Sequence, residues 1–183
     1  AAANRRPQQR TCRMLVLAPT RELASQIADS ARAYARFSQL SVATVFGGTS
    51  IAKNRNDVAR GVDGLVATPG RLKDLIQRGD CRLDQVSVTV LDEADQMADM
   101  GFMPQVTALL DQVRPDGQRM LFSATLDRNV DRLVRRYLTD PVVHSVDPSA
   151  GAVATMEHHV LHGQQEDKEE GQGAECAAGH VGR

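Results

Sequence analysis

Aromatic side chains make up only 3% of the 183 residues, and tryptophan is absent. That scarcity argues against recognition of single strands by stacking bases on aromatic platforms. Cysteine is equally rare. Cys12, Cys81 and Cys176 are odd in number and far apart, so they form no disulfide framework, and a reducing, cytoplasmic compartment is expected. No window approaches the ~20 apolar residues of a membrane span, so no membrane association is expected. The first residues carry no apolar run of the signal-peptide kind. No G-x-S-x-G occurs, which leaves acyl transfer from a nucleophile elbow without support.

Hydrophobic residues make up 42%, enough for a sizeable core. The net charge of −1 hides an uneven distribution. Residues 1–36 hold seven Arg against Glu22 and Asp29, a net of +5. Residues 157–183 hold six acids against Lys168 and Arg183, a net of −4. A basic start suits an anionic partner or, equally, a solvated flexible arm. Arg outnumbers Lys by 19 to 3. Its planar fork suits phosphate contacts, although codon bias accounts for such an excess as well.

Short apolar runs alternate with amphipathic stretches. "MLVLA" (14–18), "LSVATVF" (40–46), "GLVAT" (64–68), "VSVTVL" (86–91) and "QRMLFSA" (118–124) read as strands. They are nearly continuous in apolar character, as buried parallel strands are. Helices are expected over 21–37, about 50–60, 70–78, 103–113 and 127–138. Alternation of this kind predicts an α/β domain with a parallel sheet. Asp140-Pro141 ends the last helix, and "PVVHSV" then runs extended. The expected organisation is a basic arm over 1–11, a domain over 12–146 and a linker over 147–154. Residues 155–183 are either the start of a second domain or a disordered tail, with one more strand within 155–162 and no apolar period from Gly163 onward.

Ligands of open α/β sheets bind beyond the carboxyl ends of the strands. In this sequence those ends carry "PTRELA" (19–24), "GGTS" (47–50), "PGR" (69–71), "DEAD" (92–95) and "SAT" (123–125). One polar strand end is ordinary loop chemistry; five on one rim make a site. Asp92, Glu93 and Asp95 crowd three carboxylates into four residues. Acids opening a helix complement its dipole, which accounts for one or two of them. A different reading has an acid at the end of a buried strand holding Mg²⁺, which takes one or two carboxylates plus waters and substrate phosphates. His158, His159 and His162, with Cys176 and His180, match no common closed zinc site.

"APTRELASQI", "GG", "TPGR", "VLDEAD" and "SAT", in this order and spacing, resemble the DEAD-box ATP-dependent RNA helicases over roughly residues 12–146. The resemblance implies an N-terminally truncated, parallel-sheet RecA-like domain of the P-loop NTPase type, the first of two, with ATP and Mg²⁺ as cofactors and RNA as partner. It implies that Asp92 positions the metal through water and that Glu93 polarises the attacking water. Asp95 would hydrogen-bond Ser123 and Thr125, coupling nucleotide state to strand separation. Thr20, Arg21, Gly47, Gly48, Thr68, Gly70 and Arg71 would lie along the RNA backbone and read its phosphates, not its base sequence.

ATP use in that family also needs a P-loop, G-x-x-x-x-G-K-[ST]. Lys53, Lys73 and Lys168 sit in "AKN", "LKD" and "DKE", so no such loop lies within these residues. The adenine-reading motif and the second domain are likewise missing. Two readings stand: an incomplete helicase core, inactive as ATPase by itself, or a non-catalytic remnant that binds RNA or a partner. A phospho-acceptor domain using Asp92 would leave "PTRELA", "TPGR" and "SAT" unexplained. The resemblance further implies that an upstream strand would flank the "SAT" strand. Without it, unpaired backbone there would leave the chain molten or prone to aggregate.

Overall fold

The computed structural model describes residues 6–146 and the backbone of 158–162. Five strands carry the apolar runs: β1 (Cys12–Leu17), β2 (Val42–Val45), β3 (Val62–Ala67), β4 (Val88–Leu91) and β5 (Gln118–Ser123). The runs are short, and β2 and β4 are rich in β-branched residues, both of which favour strands. Six helices fall between and after them: α1 (Arg21–Ala35), α2 (Ile51–Val58), α3 (Pro69–Gln77), α4 (Ala94–Asp99), α5 (Met103–Leu110) and α6 (Arg128–Tyr137). Two further strands follow, β6 (Pro141–Ser145) and β7 (His158–His162).

The order across the sheet is β2-β3-β1-β4-β5-β7-β6. β1 to β5 are mutually parallel, so all five carboxyl ends lie on one rim. The expected strands and the five expected helices are present within a few residues of their predicted bounds. α4 was not among the expected helices, since six residues show no readable period, although acids opening a helix were one reading of the cluster, and Asp95 does lie in its first turn. β7 is the strand expected within 155–162. Its place was not foreseen, because it inserts antiparallel between β5 and β6. The backbone of β5 is therefore paired on both sides, so the expected unpaired edge beside "SAT" does not arise. Residues 147–157 and 163–183, where the linker and tail were expected, lie outside the described residues.

Helix ends follow local chemistry. Thr20 caps α1, its Oγ1 accepting from the Leu23 N–H at 3.2 Å, and Glu22 and Arg32 match the helix dipole at the two ends. Asp127 caps α6 by accepting from the N–H groups of Asn129 and Val130, both at 3.0 Å. Pro69 opens α3, where a missing N–H costs nothing.

Successive strand residues point to opposite faces. One face, with Leu15, Leu17, Leu65 and Leu91, packs against Leu72, Leu75, Met97, Val106, Leu109 and Leu133 of α3 to α6 and Val58 of α2. The other face, with Val16, Val66 and Val90, is covered among the described residues by one helix, α1, through Leu23, Ala24, Ile27 and Ala28, with Phe46 at its end. The small Ala24 and Ala28 let α1 lie close on the strands. No helix among the described residues is long and apolar enough to cross a membrane.

Candidate functional site

Along the common rim, the sheet order arranges the loops as "GGTS", "TPGR", "PTRELA", "DEAD" and "SAT". The acidic pair and the glycine loops thus lie on one edge, with "PTRELA" between them.

At the end of β4, the Asp92 N–H is fixed by the Leu17 carbonyl at 2.9 Å, and Asp92 Oδ1 accepts from the Glu93 N–H at 2.9 Å. Glu93 then adopts the left-handed conformation, φ 48° and ψ 53°, as it opens α4. A non-glycine residue there is strained, and such strain gathers at functional sites. Both residues line a cavity of about 700 Å³ on the α1 side of the sheet, together with Val16, Ile27, Val90 and Phe122. Hard carboxylate oxygens are the donors Mg²⁺ prefers, and one or two suffice, so Asp92 and Glu93 fit the metal half of a Mg²⁺–nucleotide site. The phosphate-cradling half has no counterpart in these residues.

Asp95 and Ser123 are buried and in contact, but the bond runs through backbone: the Asp95 N–H donates to Ser123 Oγ at 3.2 Å. Ser123 Oγ in turn donates to the Thr125 carbonyl at 2.7 Å. Thr125 is exposed. The three residues expected to couple the motifs are therefore one hydrogen-bonded chain from α4 to the loop after β5.

On the glycine side, Arg21 lies with its guanidinium over the Phe46 ring, 5.3 Å from the centroid, and its Nη1 sits where a side chain on Gly48 would be. Gly48 also has φ +83°, the ground that favours glycine there, since the tip of the flexible Arg21 side chain could move aside. Arg71 Nη1 donates to the Thr49 carbonyl at 2.7 Å and to Asn54 Oδ1 at 2.9 Å. The loop is thus gripped from α1 and from α3. Gly47 and Gly70 differ: neither has positive φ, and a Cβ on either would meet open space. Nothing in the fold requires glycine at these two positions, whereas close approach of a ligand to the backbone would. Thr68 opens α3 beside them, its N–H held by the Val45 carbonyl at 3.0 Å.

Phe46, Thr49 and Asn54 escaped sequence reasoning. Asn54 is buried, and it lies between Ile51 and Val58 on the apolar side of α2. A lone polar residue in that stripe was the available signal.

The family model described as DEAD/DEAH box helicase matches residues 1–133. The chain is 47% identical over 129 residues to "ATP-dependent RNA helicase DBP2" of Eremothecium gossypii, covering 70% of this chain and 23% of the relative. It is 46% identical over 151 residues to "ATP-dependent RNA helicase RhlB" of Pseudomonas aeruginosa, covering 81% and 38%. Among solved structures, the yeast DEAD-box splicing factor Prp28 superposes with TM-score 0.69 at 31% identity, over 75% of this chain and 34% of that one. A DEAD box protein from the hyperthermophile Methanococcus jannaschii gives TM-score 0.68 at 35% identity, over 75% and 36%. The chain spans well under half the length of each of these relatives.

Proposed function

Since the chain belongs to the DEAD/DEAH box helicase family, we propose that it carries the metal-holding, water-orienting and RNA-contacting rim of an ATP-dependent RNA helicase. The observation that carries this reading is the convergence of five polar loops at the carboxyl ends of five parallel strands.

In this reading Asp92 holds hydrated Mg²⁺ through water. The bound ion would offset charge on the transferring phosphate. Glu93 orients the attacking water and accepts its proton. Asp95, Ser123 and Thr125 transmit the state of this end to the neighbouring loops through the bonds described above. Thr20, Arg21, Gly47, Gly48, Thr68, Gly70 and Arg71 follow the RNA backbone, with open space at Gly47 and Gly70 supporting close phosphate approach. Arg71 contributes partly by holding the "GGTS" loop in shape. Contacts of this kind are blind to base sequence. A cytoplasmic location belongs to the same reading, supported by free thiols at Cys12 and Cys81.

Phosphate release from 1–183 should not exceed that of a Glu93→Gln control, with or without RNA, because no P-loop lies within these residues. In a longer chain that supplies the loop, Glu93→Gln should abolish turnover and preserve ATP and RNA binding. A loss smaller than about tenfold would remove Glu93 from the water-orienting role.

A further inference from the structure

The opposite rim, where the parallel strands begin, holds a second polar cleft of about 540 Å³. Arg6, Arg13 and Arg60 line it against a single acid, Asp63. Arg13 pairs with Asp63 at 3.4 Å. Asp63 is engaged further, since Oδ2 accepts from the Ser41 N–H at 2.9 Å and the Ser41 hydroxyl at 3.2 Å. Arg6 and Arg60 are exposed, and neither has an ion-pair partner among the described residues. The cleft therefore keeps an excess of two positive charges.

Its walls are built rather than incidental. The segment preceding β1 folds into a turn, with the Thr11 hydroxyl donating to the Gln8 carbonyl at 2.7 Å. Arg10 N–H donates to the Ala59 carbonyl at 3.3 Å, which ties that turn to the end of α2. Gly61, at φ +80°, lets the two backbones meet: a Cβ there would collide with the carbonyl oxygens of Gln8 and Pro7. This close approach brings Arg6 and Arg60 to the same cleft. Guanidinium forks suit phosphate oxygens, and the cleft offers little of the large apolar surface on which protein partners anchor.

We propose that this cleft is an accessory phosphate site for an RNA strand, on the rim opposite the helicase motifs. The proposal rests on the RNA-binding reading above and extends it to a surface that reading leaves unused. Each phosphate seated there releases counterions, so the site should be visible in the salt dependence of binding.

The test is fluorescence anisotropy of a labelled 20-nucleotide oligouridylate with chain 1–183 at several KCl concentrations. The comparison is between the parent chain, the double variant Arg6→Gln/Arg60→Gln, and Arg21→Gln on the other rim. The double variant should weaken low-salt binding about fivefold or more and lower the log–log salt slope by about 1.4, at ~0.7 per phosphate on a single strand. Gly61→Ala, which displaces the arm without touching a charge, should weaken binding in the same direction with the circular dichroism spectrum unchanged. Affinity and slope equal to the parent's in the double variant would overturn the proposal. If Arg21→Gln alone loses binding, the cleft is idle and the motif rim stands. If the double variant loses binding and Arg21→Gln does not, the cleft stands and the rim reading fails. Tighter binding of a polyglutamate peptide than of the oligouridylate would overturn the RNA assignment in favour of an acidic protein partner.

Discussion

Met14 and Leu15 are neighbours on β1 that point to opposite faces of the sheet. Leu15 is fully enclosed, while Met14 is 38% exposed. The difference runs the width of the sheet. The Leu15 face meets five helices and holds most of the core. Among the described residues the Met14 face has one helix, α1, and beside α1 the strands line the cavity that ends at Asp92 and Glu93. At the end of β4 the division falls between adjacent residues: Leu91 is buried in the covered core, and Asp92 lines the open cavity. Most of the core thus lies on one face of the sheet, and the proposed chemistry borders the other. A site beside an open face can receive a ligand without disturbing the packing that holds the fold.

The comparison predicts unequal costs for substitution. Leu72→Ala, on the covered face, should destabilise by about 2–5 kcal/mol in a denaturant melt, since a buried leucine leaves a cavity. A cost below 1 kcal/mol would mean the covered face is loosely packed. Asp127→Ala removes two accepted hydrogen bonds at the start of α6 and should cost about 0.5–2 kcal/mol in the same assay. A loss that grows with pH is expected from alkali. Burial pushes the Cys81 thiol up to about 11 and raises that of Cys12 further, with Cys81 adding to the effect. Burial and the hydrogen bond to Asp111 push Tyr137 up to about 12. All three are held neutral by the fold, so their contribution is complete below the ordinary values and is lost as pH rises through 11 and 12. The melting temperature should be flat in this respect up to about pH 8 and fall above it; a rise would reverse the sign. The smallest effect belongs to Met14→Gln, within about 0.5 kcal/mol. A loss of several kcal/mol there would show that something covers the open face in solution.

Much of this architecture is legible in the residues alone. Near-continuous apolar runs such as "MLVLA" mark buried parallel strands, and polar motifs at their ends locate the rim. The open face is not legible in the same way. A strand buried on one face by helices and on the other by a single helix has the same apolar run as one covered on both. β7 was readable as a strand, but its antiparallel seat between β5 and β6 depends on pairing with strands distant along the sheet. α4 was hidden by its length and by its start at a left-handed residue. In the site, the motif residues could be chosen from the sequence, yet only part of their intramolecular work could be. Arg71 grips Thr49 and Asn54, a bond that no motif implies, whereas Thr20, readable as a residue able to open the first helix, does cap α1. The Arg6–Arg60 cleft depends on the tight approach at Gly61, which no spacing along the chain announces.

If Glu93 orients water in a longer chain as proposed, its left-handed backbone sets folding and activity against each other. Glycine would adopt φ 48° without steric penalty, so Glu93→Gly would relieve strain at the start of α4 while deleting the carboxylate. The preference of the fold and the preference of the site point to different amino acids at this one position. A selection for thermal tolerance alone would drift toward glycine or asparagine there, and a selection for turnover would hold glutamate against that drift.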